Sequence, residues 1–298
     1  MNVLVTGSTG FIGTAVVQSL KDHTVYGVSR SIVPHLDCYQ HNMDILDGEK
    51  LYQLMCEKSI DMVVHCAGKA IVSDCDKNPY EALRVNGLGT ASVLDASRRA
   101  NVKRVISVET DKVYGFQEDI PTREDATPNP NSPYEFSKVI ANQMNNFYRD
   151  EYGLDVIAVR PVNVFGGRDP NNRLIPKIFS SIRDGRAIPI HSDAVYAVRD
   201  FIYVNDVAHM IKMLLLSEPR YNTYNFSSGY NFTIPEIVKR VKKVLTYNKP
   251  DLIIDKVGDY KEIPVQEIDG TRFTEEYQFK YTDFDTAIRD SYNEFLQV

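Results

Sequence analysis

The first residues restrict the fold more than any other stretch. Asn2-Val3-Leu4-Val5-Thr6 reads as a short buried strand, and Gly7-Ser8-Thr9-Gly10-Phe11-Ile12-Gly13 as a tight turn. The run through Ala15, Val16, Val17 and Leu20 then has helical spacing, and Val25-Tyr26-Gly27-Val28 is a second strand. The three glycines have separable tasks: a tight turn, close approach of backbone to a pyrophosphate, and close packing of helix on strand. The helix N-terminus offers unsatisfied N–H groups to phosphate. A glycine turn can be purely structural. One that joins a strand to a helix at the head of a βαβ unit predicts a dinucleotide site.

The residues after the second strand discriminate between dinucleotides. An acidic side chain there would hold a ribose 2′-hydroxyl, but the positions are Ser29, Arg30 and Ser31. A guanidinium flanked by hydroxyls suits a 2′-phosphate, so NADP is favoured over NAD. The alternative is that Arg30 is only a solvated loop charge. Asp44 and Ile45, after the next short strand region, are placed to meet adenine.

Strands and helices keep alternating. Leu51, Leu54 and Met55 mark a helix, and Met62 to Gly68 a strand running into a glycine turn. His65 within it reads as a packed strand-end histidine. Pro79 opens a long helix carrying Asn86 and Gly87, Arg104–Val108 is a buried strand, and Pro133 opens a helix to about Tyr152. The prolines at 121, 128, 130 and 133 make 118–133 a long loop. Asp155–Arg160 is the sixth strand. Successive βα units imply a right-handed, doubly wound parallel sheet. After Arg160 the pattern turns irregular. The expected organisation is α/β, a Rossmann-type parallel sheet over residues 1–165 to which about 194–216 returns, with a smaller C-terminal α+β substrate domain over 166–298.

Composition narrows the function. Of 298 residues, 43% are hydrophobic and 25% charged, an ordinary globular balance. Thirty-four basic against forty acidic residues give −6, which argues against a general nucleic-acid binder. No apolar run reaches the ~18 residues of a membrane span, and no signal-peptide pattern opens the chain, so a cytoplasmic protein is expected. The cysteines Cys38, Cys56, Cys66 and Cys75 include no Cys-x-x-Cys pair and no zinc-ligand spacing, so no metal is expected. Cys56 and Cys66 read as reduced core thiols.

Tyr134 and Lys138 lie one helical turn apart on one face. A nearby ammonium favours the phenolate and draws a tyrosine down from its free value of about 10. By itself such a pair is far more often a solvated helix face. The strand 104–108, however, delivers Thr110 to its carboxyl end, where open α/β sheets bind ligands.

Taken in order, these motifs resemble the extended short-chain dehydrogenase/reductase family, in its NAD(P)-dependent epimerase/dehydratase branch acting on nucleotide sugars. The resemblance rests on Gly7/Gly10/Gly13, Asp44-Ile45, His65 to Gly68, Asn86-Gly87 with Gly89-Thr90, and Thr110 to Gly115. It continues through Tyr134/Lys138, Arg160-Pro161 with Asn163, and Arg199-Asp200-Phe201 with Asp206. It implies Tyr134 as acid/base at the sugar 4-hydroxyl, with Lys138 lowering its pKa and bonding the nicotinamide ribose. Thr110 would orient the same sugar oxygen. Cofactor contacts are implied for Gly7, Thr9, Gly10, Phe11, Ile12, Gly13 and Arg30, for Asp44 and Ile45, and for Cys66, Ala67, Gly68 and Lys69. Asn86, Val108, Tyr134, Lys138 and Pro161 complete that set. Thr110, Asn163, Arg173 and Arg199 would hold a nucleotide-diphosphate sugar, with base and sugar chosen by residues around Asn172 to Asp193. A homodimer built from the helices at about 79–99 and 133–152 is expected, with no nucleic-acid or membrane partner.

Thr110-Asp111-Lys112 resembles the 4,6-dehydratases, as does the segment Val72 to Pro79. Oxidation at C4 acidifies the C5 proton. Asp111 and Lys112 would then divide its removal and the protonation of the leaving C6 hydroxyl. Alternatively they form a loop ion pair that only shapes the site. Many dehydratases carry Asp-Glu where this chain has Asp111-Lys112, and Glu109 stands where Ser is usual. A 4-epimerase and an NADPH-dependent 4-ketoreductase are the alternatives. A non-catalytic NAD(P)-binding sensor or scaffold is the alternative of a different class.

Overall fold

The computed structural model describes residues 1–169, 173–191, 195–249, 251–254 and 264–297. In chain order the elements begin β1 (Asn2–Thr6), α1 (Phe11–Ser19), β2 (Thr24–Ser29), β3 (Tyr39–Asn42), α2 (Gly48–Glu57) and β4 (Met62–His65). They continue with α3 (Val72–Lys77), α4 (Pro79–Ala82), α5 (Gly89–Arg99), β5 (Arg104–Val108), α6 (Pro133–Tyr152) and β6 (Val156–Pro161). Next come β7 (Asn163–Phe165), α7 (Leu174–Arg183), β8 (Ile188–His191), β9 (Val198–Tyr203), α8 (Val204–Leu216) and β10 (Thr223–Phe226). The last are β11 (Asn231–Thr233), α9 (Ile234–Val244), β12 (Asp251–Ile254), β13 (Val265–Gln266), α10 (Thr271–Tyr277) and α11 (Phe284–Phe295).

Two units are distinguished. The first holds residues Met1–Gly115, Glu124–Pro161 and Val207–Asn225, and its seven-stranded sheet runs β10-β6-β5-β4-β1-β2-β3. The pairings among β1 to β6 are parallel, as βα alternation requires. β1, β5 and β6 are buried almost throughout, which is why they read as continuous apolar runs and not as alternating ones. Leu4, Val63, Val105 and Val156 from four neighbouring strands meet Leu51, Met55, Val93 and Leu94 from α2 and α5 in one aliphatic core.

Where a long helix was expected from Pro79, α4 and α5 are joined by a π-helical turn over Leu83–Leu88, within which Asn86 and Gly87 are buried. α6 matches its expected span. Ser132 caps it by accepting from the Glu135 N–H at 3.2 Å, Pro133 occupies the first turn, and Gly153 ends it in the left-handed conformation.

The second unit holds Phe116–Arg123, Val162–Asp206 and Phe226–Val298. Its main sheet runs β11-β9-β13, with β7 also on β9, and β8 pairs with β12. Aromatic packing dominates its core: Phe284 lies 5.6 Å from Phe165, 5.5 Å from Tyr230 and 5.2 Å from Phe232, centroid to centroid. The segment that returns to the first unit is Val207–Asn225, whereas the sequence placed it at 194–216; β9 belongs to the second sheet. β10, the strand that rejoins the main sheet, had no counterpart in the sequence reading.

Cys56 is exposed, not a core thiol as its segment suggested: it follows Leu54 and Met55 on α2 and so turns to the outer face. Cys75 is the buried thiol. Among the described residues no helix is long and apolar enough to cross a membrane, and no group of His, Cys, Asp and Glu is arranged to hold a metal.

Candidate active site

The Gly-rich turn takes its shape from backbone that nothing larger than glycine permits. Gly7 has φ +67°, and a Cβ there would lie 2.7 Å from the Ala67 nitrogen. A Cβ on Gly13 would lie 2.1 Å from the Gly7 carbonyl oxygen. The first turn of α1 thus packs onto β1, with Gly10 at its cap and no acidic residue near its positive end.

A cleft of about 480 Å³ opens over this turn. Of the expected cofactor residues, Gly7, Thr9, Gly10, Arg30, Asp44, Ile45, Ala67, Gly68 and Lys69 line it. Val28, Ser29, Ser31, Met43 and Val85 complete the wall. The hydroxyls around Arg30 are linked: Thr9 Oγ1 is 3.3 Å from Ser31 Oγ, and the Ser29 hydroxyl donates to the Ser31 carbonyl at 2.6 Å. Phe11, Ile12 and Gly13 lie in α1 just beyond the lining, and Cys66, Asn86, Val108, Tyr134, Lys138 and Pro161 lie outside it. Apolar Met43 and Val85 were invisible as site residues, because only the folded cleft distinguishes them from core.

His65 is a strand-end histidine. Its Nδ1 is 2.7 Å from Thr6 Oγ1 and its Nε2 3.0 Å from Thr90 Oγ1. Burial, with Lys138 adding to it, depresses its pKa to about 3, so the ring is neutral near pH 7.

The catalytic candidates gather at the carboxyl end of β5 and the start of α6. Thr110 is buried and its side chain accepts from the Lys112 N–H at 3.3 Å, capping a 3₁₀ turn over Asp111–Tyr114. Its hydroxyl also donates to Asp111 Oδ1 at 3.1 Å. Asp111 is buried within that turn, and Lys112 is half-buried. Tyr134 is buried against Cys75 and Ala82. Lys138, one turn along, donates from Nζ to the Val108 carbonyl at 3.1 Å. Burial lowers the pKa of its ammonium, and Glu109 is the chief opposing influence. A Cβ on Gly68 would sit 3.7 Å from Lys138 Nζ, so the lysine reaches the edge of the cleft.

Asn86, from the expected cofactor set, and Ser137, from outside it, tie these parts together. Asn86, from the π-helical turn, accepts from the Lys69 N–H at 2.7 Å and donates to the Lys69 carbonyl at 3.1 Å and to Ser137 Oγ at 2.8 Å. The Ser137 hydroxyl in turn donates to the Tyr134 carbonyl at 2.7 Å. The cofactor loop and the catalytic helix are therefore linked by one short chain of hydrogen bonds. π-turns of this kind recur at functional sites. Asn86 was expected as a direct cofactor contact; its side chain holds the loop at Lys69. Ser137 sits between Tyr134 and Lys138 with no sequence signal of its own.

The expected substrate residues beyond Thr110 lie in the second unit. Asn163 donates to the Asp200 carbonyl at 3.0 Å from β7, and Arg199, on β9, pairs across to Phe232 and Gln266. Asp200 is buried; the Ser227 and Ser228 hydroxyls donate to it, and burial raises its pKa to about 6. Arg173 is half-exposed at the head of α7, 3.5 Å from Asp169, whose pKa burial raises to about 7. Part of the range from Asn172 to Asp193, including both named ends, falls outside the described residues.

Residues 3–226 match the pattern of the family described as NAD dependent epimerase/dehydratase. The chain is 28% identical over 274 residues to the low-salt glycan biosynthesis protein Agl12 of Haloferax volcanii, covering 87% of each. It is 28% identical over 296 residues to the dTDP-glucose 4,6-dehydratase of Streptomyces griseus, covering 93% of this chain and 88% of that one. Among solved structures, UDP-glucose 4-epimerase of Thermotoga maritima with UDP-glucose superposes with a TM-score of 0.92 at 25% identity, covering 100% of this chain and 99% of that one.

Proposed function

The chain belongs to the NAD-dependent epimerase/dehydratase family, and from that premise we propose that it is a nucleotide-sugar 4,6-dehydratase. The observation that carries the reaction type is the 3₁₀ turn at the end of β5, which sets buried Asp111 beside Lys112. Similarity to dTDP-glucose 4,6-dehydratases agrees with it.

The cleft residues fit a dinucleotide: backbone glycines and a helix N-terminus for the pyrophosphate, with Asp44, Ile45, Met43 and Val85 for adenosine. NAD or NADP, when bound, would take hydride from the sugar C4 and, after water is lost, give it back at C6. Tyr134 takes the 4-hydroxyl proton, and the Lys138 ammonium stabilises the phenolate that must precede this. Thr110 directs its hydroxyl to the same sugar oxygen. Once C4 is a ketone, one of Asp111 and Lys112 removes the acidified C5 proton and the other protonates the departing C6 hydroxyl as water; the group that took the C5 proton returns it to C5 as C6 gains hydride. Asn163, Arg173 and Arg199 hold the diphosphate by charge-assisted and neutral hydrogen bonds. NADP is the preferred cofactor in this reading, because Arg30, Ser29, Ser31 and Thr9 share one wall of the cleft.

The test is direct. Purified protein supplied with dTDP-glucose, UDP-glucose, CDP-glucose and GDP-mannose yields a 4-keto-6-deoxy product lighter by one water, without net cofactor consumption. A product of unchanged mass and inverted C4 overturns this in favour of an epimerase, the reading that the Thermotoga maritima structure supports. Stoichiometric NADPH oxidation on a keto-sugar establishes a reductase instead.

A further inference from the structure

Glu109 stands directly before Thr110, in a position that the family usually fills with Ser. Its side chain is 1% exposed, yet it carries a carboxylate. Isolated charge at that depth is costly unless it is paired and hydrogen-bonded. Here it is both. Oε2 accepts from Arg160 Nε at 3.1 Å, and Oε1 accepts from the Asn145 side chain at 2.6 Å.

Both partners reach further. Arg160 donates to Tyr114 Oη at 2.7 Å, to Asn142 Oδ1 at 3.0 Å and to the Glu124 carbonyl at 3.2 Å. Asn142 and Asn145 belong to α6, on the helical face that continues from Lys138. Asn145 also donates to Ser107 Oγ at 3.1 Å. Lys138 itself is bonded to the carbonyl of Val108, the residue before Glu109. The carboxylate therefore clasps α6 to the end of β5 about two turns beyond Lys138, and through Arg160 it reaches Asn142 one turn beyond.

We propose that Glu109 is a positioning residue for the Tyr134/Lys138 pair: it registers α6 against β5 and supplies the buried negative charge that keeps Lys138 protonated. Ser at this position has neither the reach nor the charge. Tyr134 lies one turn from Lys138 on α6, and the charged and titratable groups that act on Lys138 from other elements include Glu109 from the end of β5, His65 and Cys66 from β4 and its turn, and Cys75 from α3. Those facing Glu109 are Arg160 from β6, Tyr114 from the 3₁₀ turn and Lys138 from α6, and Glu124 lies beside Tyr114. His65 is neutral, and burial raises the Cys66 thiol to about 12. Glu109 is thus the chief influence that opposes the effect of burial on the Lys138 ammonium.

This inference rests on the catalytic reading of Tyr134 and Lys138, but its test needs no substrate. Protein labelled with ¹³C at lysine is titrated by NMR, and the Lys138 signal is identified as the one missing from Lys138→Met. In Glu109→Gln the Lys138 midpoint falls by about one pH unit, the lower end of what a nearby opposite charge contributes. The alkaline limb of the kcat profile moves with it. A midpoint equal to that of the native protein overturns the proposal, even if Glu109→Gln is less heat-stable, because a purely structural clasp does not move it. Should Glu109→Gln not fold, Glu109→Asp withdraws the charge by one methylene: a smaller fall in the same direction supports the proposal, and no fall overturns it.

Discussion

The two units encode their chemistry at different ranges. In the first, each functional feature is written in a few consecutive residues: the turn Gly7–Gly13, the cap and 3₁₀ turn Thr110–Tyr114, and Tyr134 with Lys138 on one helix. In the second, Asn163, Arg173 and Arg199 come from a strand, a helix head and another strand, among residues with no shared motif. Their cores differ in parallel, aliphatic around Leu4 and Val105 in the first and aromatic around Phe284 in the second. Shared cofactor chemistry asks for fixed backbone shapes, whereas recognition of a variable sugar asks for side chains that can change. Substitutions in the first unit should therefore stop chemistry or cofactor binding, and those in the second should weaken substrate alone.

The largest test of that division is Tyr134→Phe. It should lower kcat about 10²–10⁴-fold while leaving NAD binding intact by fluorescence titration. Sugar turnover at the native rate would return the first unit to a mere binding module. Gly13→Ala comes next. Its new Cβ meets the Gly7 carbonyl oxygen at 2.1 Å, so it should cost about 1–3 kcal/mol in denaturant unfolding and abolish cofactor binding. In the second unit, Arg199→Ala should raise the KM for the sugar nucleotide about tenfold or more, for a charge-assisted hydrogen bond of about 1.5–3 kcal/mol, with cofactor affinity unchanged. A loss of cofactor affinity would break the division. Arg30→Ala should lower the NADP-to-NAD preference about tenfold by competitive binding, and a null result would make Arg30 a loop charge.

A further effect separates the units by acidity. His65 holds a folded pKa of about 3 against an ordinary 6.5, so the unfolded chain protonates first. Its contribution to the first unit is lost as pH falls through that window, at up to about 1.4 kcal/mol per pH unit. Asp169 and Asp200 hold folded values of about 7 and about 6 against 3.8, so there the folded chain protonates first, and acidification adds stability to the second unit. Hydrogen exchange, corrected for its intrinsic pH dependence, should show β4 losing protection relative to β9 between pH 6.5 and 4; equal changes would contradict this.

What was legible in the chain follows the same division. β1, β2, β5, β6 and α6 were readable because buried parallel strands are continuous apolar runs and because Ser132, Pro133 and Gly153 punctuate the helix. The π-helical turn was not: Asn86 and Gly87 are poor helix formers, but composition does not distinguish a wider turn from any other local weakness in the helix. β10 was hidden for a different reason: Thr223-Tyr224-Asn225-Phe226 carries a polar Asn that is fully buried, where its Oδ1 accepts from Tyr114 Oη at 2.7 Å and its N–H donates to Glu124 at 3.0 Å. Nine of the cofactor candidates line the cleft because glycine and strand-end positions reveal themselves by backbone demand. Ser137, Met43 and Val85 make no such demand. Glu109 was visible as a departure, but its purpose needed Arg160 and Asn145, distant in sequence, to be brought beside it.

The return of Val207–Asn225 to the first unit bears on how the protein is made. A ribosome that has released residues up to Pro161 has delivered β6 as the margin of an unfinished sheet, its backbone unpaired on the side that β10 later takes. Arg104 likewise waits for the Leu214 and Ser217 carbonyls, which it will reach at 3.0 and 2.5 Å. The nascent chain must pass β7, α7, β8 and β9 through this interval before the cofactor-binding half can close. A fragment ending at 165 would retain every glycine of the opening turn and still lack the strand that seals its sheet, so that sheet can be completed only after Thr223–Phe226 has been made.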